Sequence, residues 1–104
     1  IILKEFRDVK VILSHWGGGM LFYELMPEVK EALRNVWYDT AATPYLYSST
    51  IYKAVLGMIP VEKILFGSDF PLLGVKRYRE IIEAETGESA PLIMGFNAKK
   101  LLGV

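Results

Sequence analysis

Short apolar runs alternate along the chain with longer segments in which apolar residues recur every three or four positions. The runs at residues 9–13, 36–40 and 63–66 are rich in β-branched and aromatic residues, which predicts three strands. The segments between and after them have helical hydrophobic spacing. The resulting order, βαβαβα, is typical of parallel strands joined by crossover helices.

Proline and capping residues refine the helical segments. Pro27 falls inside the pattern at residues 20–33, so we expect two short helices or one kinked helix there. Another helix is predicted to end at Thr86, and Asn97 is predicted to cap a final helical turn. Residues 1–6 are typical of the last turns of a helix, so we expect the chain to be the tail of a longer protein.

The predicted strands are almost continuously apolar, as expected when both faces of a parallel sheet are covered. Three parallel strands alone leave two open edges and bury too little surface for a stable domain. The predicted fold class is therefore α/β, with three consecutive parallel βα units that form an incomplete sheet.

Length and composition narrow the function classes. The 104 residues allow one domain or part of one, and twelve basic against twelve acidic residues leave no excess charge for nucleic-acid binding. The absence of cysteine excludes disulfides and cysteine-ligated metals. Because no apolar stretch approaches the ~20 residues of a membrane span and no signal sequence is recognised, we expect a cytoplasmic protein without membrane or nucleic-acid partners.

Polar residues follow each predicted strand: Ser14-His15, Asp39-Thr40 and Ser68-Asp69. In parallel α/β folds, catalytic groups come from these strand ends. His15, the one histidine, could be a partly buried imidazole bonded to nearby backbone, or a general base or metal ligand. Its position between an apolar strand and three glycines favours the second interpretation.

The other polar candidates also have two interpretations. Asp69 is either a turn residue or a carboxylate that binds a metal or moves a proton. For Asp39 the turn interpretation is the stronger one. The run Gly17-Gly18-Gly19 could cradle a phosphate. Neither Gly-Lys-Ser/Thr nor GxGxxG is present, which favours a conformational role.

Four segments, in order, resemble the amidohydrolase superfamily: Val-Ile-Leu-Ser-His15-Trp-Gly-Gly-Gly, Asn-Val-Trp-Tyr-Asp39-Thr, Lys-Ile-Leu-Phe-Gly-Ser-Asp69-Phe-Pro and Gly95-Phe-Asn97-Ala-Lys-Lys-Leu-Leu. The resemblance is to the amidohydrolase-2 group, which includes aminocarboxymuconate-semialdehyde decarboxylase, resorcylate-type decarboxylases and lactone hydrolases. It implies a (β/α)₈ TIM barrel of which residues 1–104 are the C-terminal portion, with strands six to eight and their helices.

The resemblance also implies a metal site. In this family a divalent ion, usually zinc, is held by an HxH pair on the first strand, a histidine on the fifth, and the aspartate that matches Asp69. Asp69 would then be a metal ligand and a catalytic residue. His15 would be catalytic beside the metal-bound water. Because the chain has no HxH, a missing N-terminal barrel half or another chain has to supply the other ligands.

The predicted function is the C-terminal part of a metal-dependent enzyme acting on a small-molecule substrate. A metal-activated water would support hydrolysis of a C–O or C–N bond, as in a lactone or amide, or non-oxidative decarboxylation. We expect the 104-residue chain alone to be inactive. The alternative is a non-catalytic truncated barrel that serves as an interaction or oligomerisation module, for example in a homo-oligomer.

Overall fold

Three strands form one parallel sheet within the residues that the computed structural model describes, 9–67 and 75–103. They are β1 (Val11–Leu13), β2 (Val36–Asp39) and β3 (Ile64–Leu65), in the order β1-β2-β3. Both pairs are parallel, with Val11 opposite Val36 and Asp39 opposite Leu65. The predicted α/β class with parallel strands is confirmed. The predicted helix end at residues 1–6 and the Ser68-Asp69 pair lie outside the described residues.

Helical segments connect and follow the strands. In chain order they are the segment His15–Leu25, which is 3₁₀-helical after a left-handed first turn, α1 (Pro27–Ala32), α2 (Thr43–Leu46), α3 (Ile51–Leu56), the 3₁₀ turn Val61–Lys63, α4 (Val75–Thr86), the 3₁₀ turn Gly87–Ser89, the π-helical segment Leu92–Phe96 and α5 (Asn97–Leu102). None of the helices in these ranges has the length and apolar character that crossing a bilayer requires.

Proline and asparagine act differently at their two predicted positions. Pro27 is the first residue of α1, where its missing N–H costs no helical hydrogen bond, so the prediction of two short helices is confirmed. Asn97 does not cap a helix, and that prediction is wrong. It begins α5, and its buried amide nitrogen donates to the carbonyls of Val61 (2.7 Å) and Ile64 (2.9 Å), which ties this helix to β3.

The core lies on one face of the sheet. Val36 and Tyr38 of β2 are buried there beneath the helices, together with Ile64 of β3. The alternate residues of β2 face the other side and are only partly buried. On that side Ile12, which pairs with Trp37, is 50% exposed. The helices of the described residues therefore cover one face of the sheet more completely than the other.

A charged network is buried beside β2. The Glu24 carboxylate is fully buried and accepts hydrogen bonds from the Tyr38 hydroxyl (2.5 Å) and the Lys63 ammonium (2.8 Å). The same ammonium donates to the Leu33 carbonyl at 3.1 Å. Lys63 is predicted to begin a strand, but it lies in the 3₁₀ turn after Pro60, from which its side chain reaches Glu24.

Burial raises the pKa of Tyr38 above the ordinary 10.0, and the hydrogen bond to the Glu24 carboxylate and its charge add to the effect. Burial also raises the pKa of Tyr52, although hydrogen bonds with Thr43 and Thr40 oppose the shift. Below pH 10 both phenols are neutral in the folded and the unfolded chain, and their full contribution to stability is present. Above pH 10 the unfolded chain loses protons first, so stability falls as pH rises.

We therefore expect Tyr38 and Tyr52 to ionise at higher pH than a free tyrosine, as the chain unfolds in alkali. Ultraviolet absorbance of tyrosinate, recorded together with far-ultraviolet circular dichroism, measures this. The Tyr38→Phe variant should lose one late ionisation. If all six tyrosines ionised before any helical signal was lost, the prediction would be wrong.

Candidate functional site

His15 is positioned by the end of β1. Leu13 pairs with Tyr38, so Ser14 and His15 continue from β1 beside the end of β2. The His15 side chain is exposed, at the edge of the sheet where the strands end. The prediction of a histidine at a strand end is confirmed. Its catalytic role is taken up below as a proposal.

The backbone from His15 onward is left-handed. Five consecutive residues have positive φ: His15 (54°), Trp16 (58°), Gly17 (71°), Gly18 (61°) and Gly19 (95°). A left-handed residue other than glycine costs roughly 1–2 kcal/mol. Three of the five are glycine, which adopts this conformation without that cost. The predicted conformational role of the glycine run therefore has a direct physical reason.

Gly17 also has a packing reason to lack a side chain. A Cβ at this position would lie 3.1 Å from Cε1 of Tyr38, closer than most such contacts in proteins. The left-handed turn is closed by a hydrogen bond from the Gly17 amide to the Ser14 carbonyl (2.8 Å). The turn is thus packed directly against β2.

Trp16 anchors the far side of this turn. Its ring is fully buried and packs edge-on against Tyr52, with ring centroids 5.4 Å apart. Its indole nitrogen donates to the hydroxyl of Thr43 at 3.0 Å, and that hydroxyl donates to the carbonyl of Thr40. A buried, hydrogen-bonded indole next to an exposed histidine fixes the backbone between them.

Asp39, at the end of β2, anchors the start of the left-handed turn through three hydrogen bonds. Its Oδ1 accepts the backbone N–H of His15 (3.0 Å) and that of Ala41 (3.1 Å). Its Oδ2 accepts the Ser14 hydroxyl at 3.1 Å. The bond from Ala41 is the turn interaction expected from the sequence. The two bonds from the β1 side depend on strand register, which the sequence did not reveal.

The end of β3 joins the same edge. The Thr40 amide donates to the Leu65 carbonyl (3.0 Å), and the Thr40 hydroxyl accepts the Gly67 amide (3.1 Å). A Cβ at Gly67 would lie 3.5 Å from Cγ of Asp39. The ends of all three strands therefore meet around Asp39, with β2 between the strand before His15 and the strand before Asp69. Asp69 itself lies outside the described residues.

Within residues 9–67 and 75–103, His, Asp and Glu side chains form no group of three or more that could hold a metal ion. At the strand ends, the described His, Asp and Glu side chains that could bind a metal ion are the imidazole of His15 and the carboxylate of Asp39. The two oxygens of Asp39 already accept three hydrogen bonds. This edge can present a proton-carrying group, His15, on a fixed backbone.

Comparison with known proteins gives a consistent assignment. The family model described as Amidohydrolase matches residues 2–104. A 6-methylsalicylic acid decarboxylase of Penicillium expansum is 30% identical over 102 residues, covering 80% of this chain and 31% of that protein. The chain thus spans about a third of the length of this relative.

Solved structures share the fold. A 5-carboxyvanillate decarboxylase from Sphingomonas paucimobilis matches 99% of this chain and 36% of its own, with a TM-score of 0.78 and 15% identity. A 2,6-dihydroxybenzoate decarboxylase from Rhizobium matches 98% and 37%, with a TM-score of 0.75 and 17% identity. A dihydroxybenzoic acid decarboxylase from Polaromonas, with bound manganese and the inhibitor 2-nitroresorcinol, matches 98% and 36%, with a TM-score of 0.74 and 16% identity.

Proposed function

Because the chain belongs to the amidohydrolase family, in its amidohydrolase-2 group, we propose that it is the C-terminal portion of a metal-dependent decarboxylase. The proposed architecture is a (β/α)₈ barrel, and residues 1–104 carry its last three βα units. Such barrels have about 250 residues. The chain spans about a third of its relatives, which supports three units out of eight.

The sheet itself supports an incomplete barrel. Its second face carries the half-exposed Ile12, and in the proposed barrel this face would carry the inward side chains. In the proposed barrel, side chains from the other strands cover Ile12 and Trp37. The strand ends around Asp39 then become part of the catalytic rim.

The proposed reaction removes CO₂ from a hydroxylated aromatic acid, the class of compound on which the named relatives act. The carbon–carbon bond to the carboxylate breaks, its electron pair stays with the ring carbon, and a proton takes the vacated position. A ring hydroxyl next to the carboxylate makes that carbon basic enough to accept the proton. The net change is ArCO₂⁻ + H⁺ → ArH + CO₂.

His15 is the proposed proton carrier. An imidazole moves protons efficiently near neutral pH, and the fixed backbone on which His15 sits keeps its position constant during the reaction. Asp69 is the proposed metal ligand, with the remaining ligands supplied from outside residues 1–104. The engaged oxygens of Asp39 make it a poor ligand, so Asp69 fits this role better.

A divalent ion, when bound, supplies positive charge that holds the substrate carboxylate and polarises it. Zinc is the ion expected from the family resemblance, and manganese is bound in the Polaromonas relative. A catalytic zinc needs about three protein ligands. Asp69 provides one of them, which is why the 104-residue chain alone is expected to be inactive.

The exposed His15 at the common strand edge is the observation that carries this proposal. To test it, the complete protein that contains this chain is purified and analysed by plasma mass spectrometry, and CO₂ release is measured with hydroxybenzoic acids. We expect near-stoichiometric divalent metal and turnover that chelation abolishes. Benzoic acid is the matched substrate control, because it lacks the ring hydroxyl, and it should not react.

Other outcomes separate the alternatives. Metal with lactone or amide hydrolysis, and no CO₂ release, would replace the decarboxylase by a hydrolase of the same family. A folded complete protein that neither contains nor takes up metal would overturn the enzyme assignment and favour the interaction module. A cytoplasmic location remains a prediction.

A further inference from the structure

The Asp39 carboxylate joins two segments that are distant in sequence. Of its three hydrogen bonds, one comes from Ala41 in its own turn, and two come from Ser14 and His15 at the end of β1. A turn needs only the first bond. Of the other two, the Ser14 hydroxyl donates to the second carboxylate oxygen, Oδ2. The backbone N–H of His15 donates to Oδ1, which also accepts the bond from Ala41.

This connection acts where the backbone is strained. His15 and Trp16 both have positive φ although neither is glycine. Such conformations persist only where the surroundings determine them. Trp16 is held by burial and by its bond to Thr43, whereas the side chain of His15 is exposed. On the β1 side of His15, the described hydrogen bonds from Ser14 and His15 to Asp39 stabilise this backbone conformation.

Asp39 also lies on the strand between the two proposed catalytic positions. The sheet order places β2 between β1, which precedes His15, and β3, which precedes Asp69. Thr40 bonds to Gly67, so the chain after β3 is tied to the same point as the chain after β1. A change at Asp39 would therefore alter the placement of His15 relative to the end of β3.

We propose that Asp39 is a positioning residue that fixes the backbone of His15 for proton transfer. The inference rests on the proposed function of His15. It assigns to the Asp39 carboxylate a role as hydrogen-bond acceptor, and neither its charge nor a proton takes part in the reaction. Misplacing a catalytic group by about 1 Å can cost about a hundredfold in rate.

Three variants of the complete protein test the proposal. Asp39→Asn keeps an oxygen for the His15 and Ala41 amides, and its new amide can donate to the Ser14 hydroxyl. We expect it to retain kcat within about threefold. Asp39→Ala removes every bond, and kcat should fall about ten- to hundredfold with KM little changed. Ser14→Ala removes only the bond to Oδ2, so its effect on kcat should be smaller.

A second measurement is independent of any activity. Amide hydrogen exchange of peptides that cover residues 14–19, followed by mass spectrometry, should accelerate in Asp39→Ala and stay near the wild-type rate in Asp39→Asn. If the complete protein proves not to be a decarboxylase, the exchange result still tests the positioning role. If the exchange is as expected while CO₂ release is absent, only the proposed function fails.

Two results would overturn the inference. Asp39→Asn as inactive as Asp39→Ala, with the backbone still protected, would mean that the negative charge itself is needed. Asp39→Ala with wild-type kcat and unchanged exchange at residues 14–19 would leave Asp39 as an ordinary turn residue. Metal content, measured in all variants, should be the same as in the wild type.

Discussion

Replacing Glu24 with alanine should lower the free energy of unfolding by about 3–5 kcal/mol. Glu24 is fully buried and is the hydrogen-bond partner of both the Tyr38 hydroxyl and the Lys63 ammonium. Lys63 has 13% side-chain exposure, so its charge would be left mostly buried and bonded to the Leu33 carbonyl. Urea unfolding followed by circular dichroism measures the loss.

The chain contains a matched control for this substitution. Glu31 and Arg34 form an ion pair of almost the same length, 2.7 Å against 2.8 Å, but the Glu31 side chain is 75% exposed and that of Arg34 is 43% exposed. Because solvent screens exposed pairs, Glu31→Ala should cost at most about 1 kcal/mol. If Glu24→Ala cost no more than Glu31→Ala, burial of the network would contribute nothing and the prediction would be wrong.

The contrast between these two glutamates marks a limit of sequence analysis. Glu31 lies on a helix face with other charged residues, and such a pattern predicts exposure, as found. Glu24 follows Phe22 and Tyr23, which are exposed, while Glu24 itself is buried. Its partners lie 14 and 39 residues away. The spacing of residues along the chain cannot predict hydrogen bonds that form only when β2 and the turn before β3 pack together.

Order and type of the main elements were predictable because they depend on local patterns. The three apolar runs became three parallel strands, and the spacing before Thr86 became α4. The ends were harder to predict. The run predicted as the third strand shortened to Ile64–Leu65, because the residues after Pro60 form a 3₁₀ turn. The segment after β2 holds a separate short helix, Thr43–Leu46, before α3.

The residues of the candidate site could be predicted from the sequence, but their backbone conformation and the hydrogen bonds between them could not. Polar residues at three strand ends, and glycines after His15, are visible in the sequence. Positive φ at His15 and Trp16 is not, since residues other than glycine seldom adopt that conformation. The Asp39 bonds to Ser14 and His15 follow from the pairing of Leu13 with Tyr38, and register is a property of the folded sheet.

The strained backbone also decides how the role of His15 has to be tested. At φ 54° an alanine would pay the left-handed penalty, so His15→Ala would mix a chemical loss with a backbone change. Asparagine tolerates this region better than most residues. His15→Asn therefore removes the imidazole with the least disturbance. In the complete protein it should lower kcat for CO₂ release about 10²–10⁴-fold.

Chemical rescue separates proton transfer from a structural role. Glycine adopts positive φ without strain and leaves space where the imidazole was. His15→Gly should be as slow as His15→Asn, and added imidazole should restore part of its activity in a concentration-dependent way. His15→Asn should gain less, because its side chain occupies part of that space. A kcat within about threefold of wild type in His15→Asn would remove His15 from the chemistry, since general acid–base catalysis contributes far more than that.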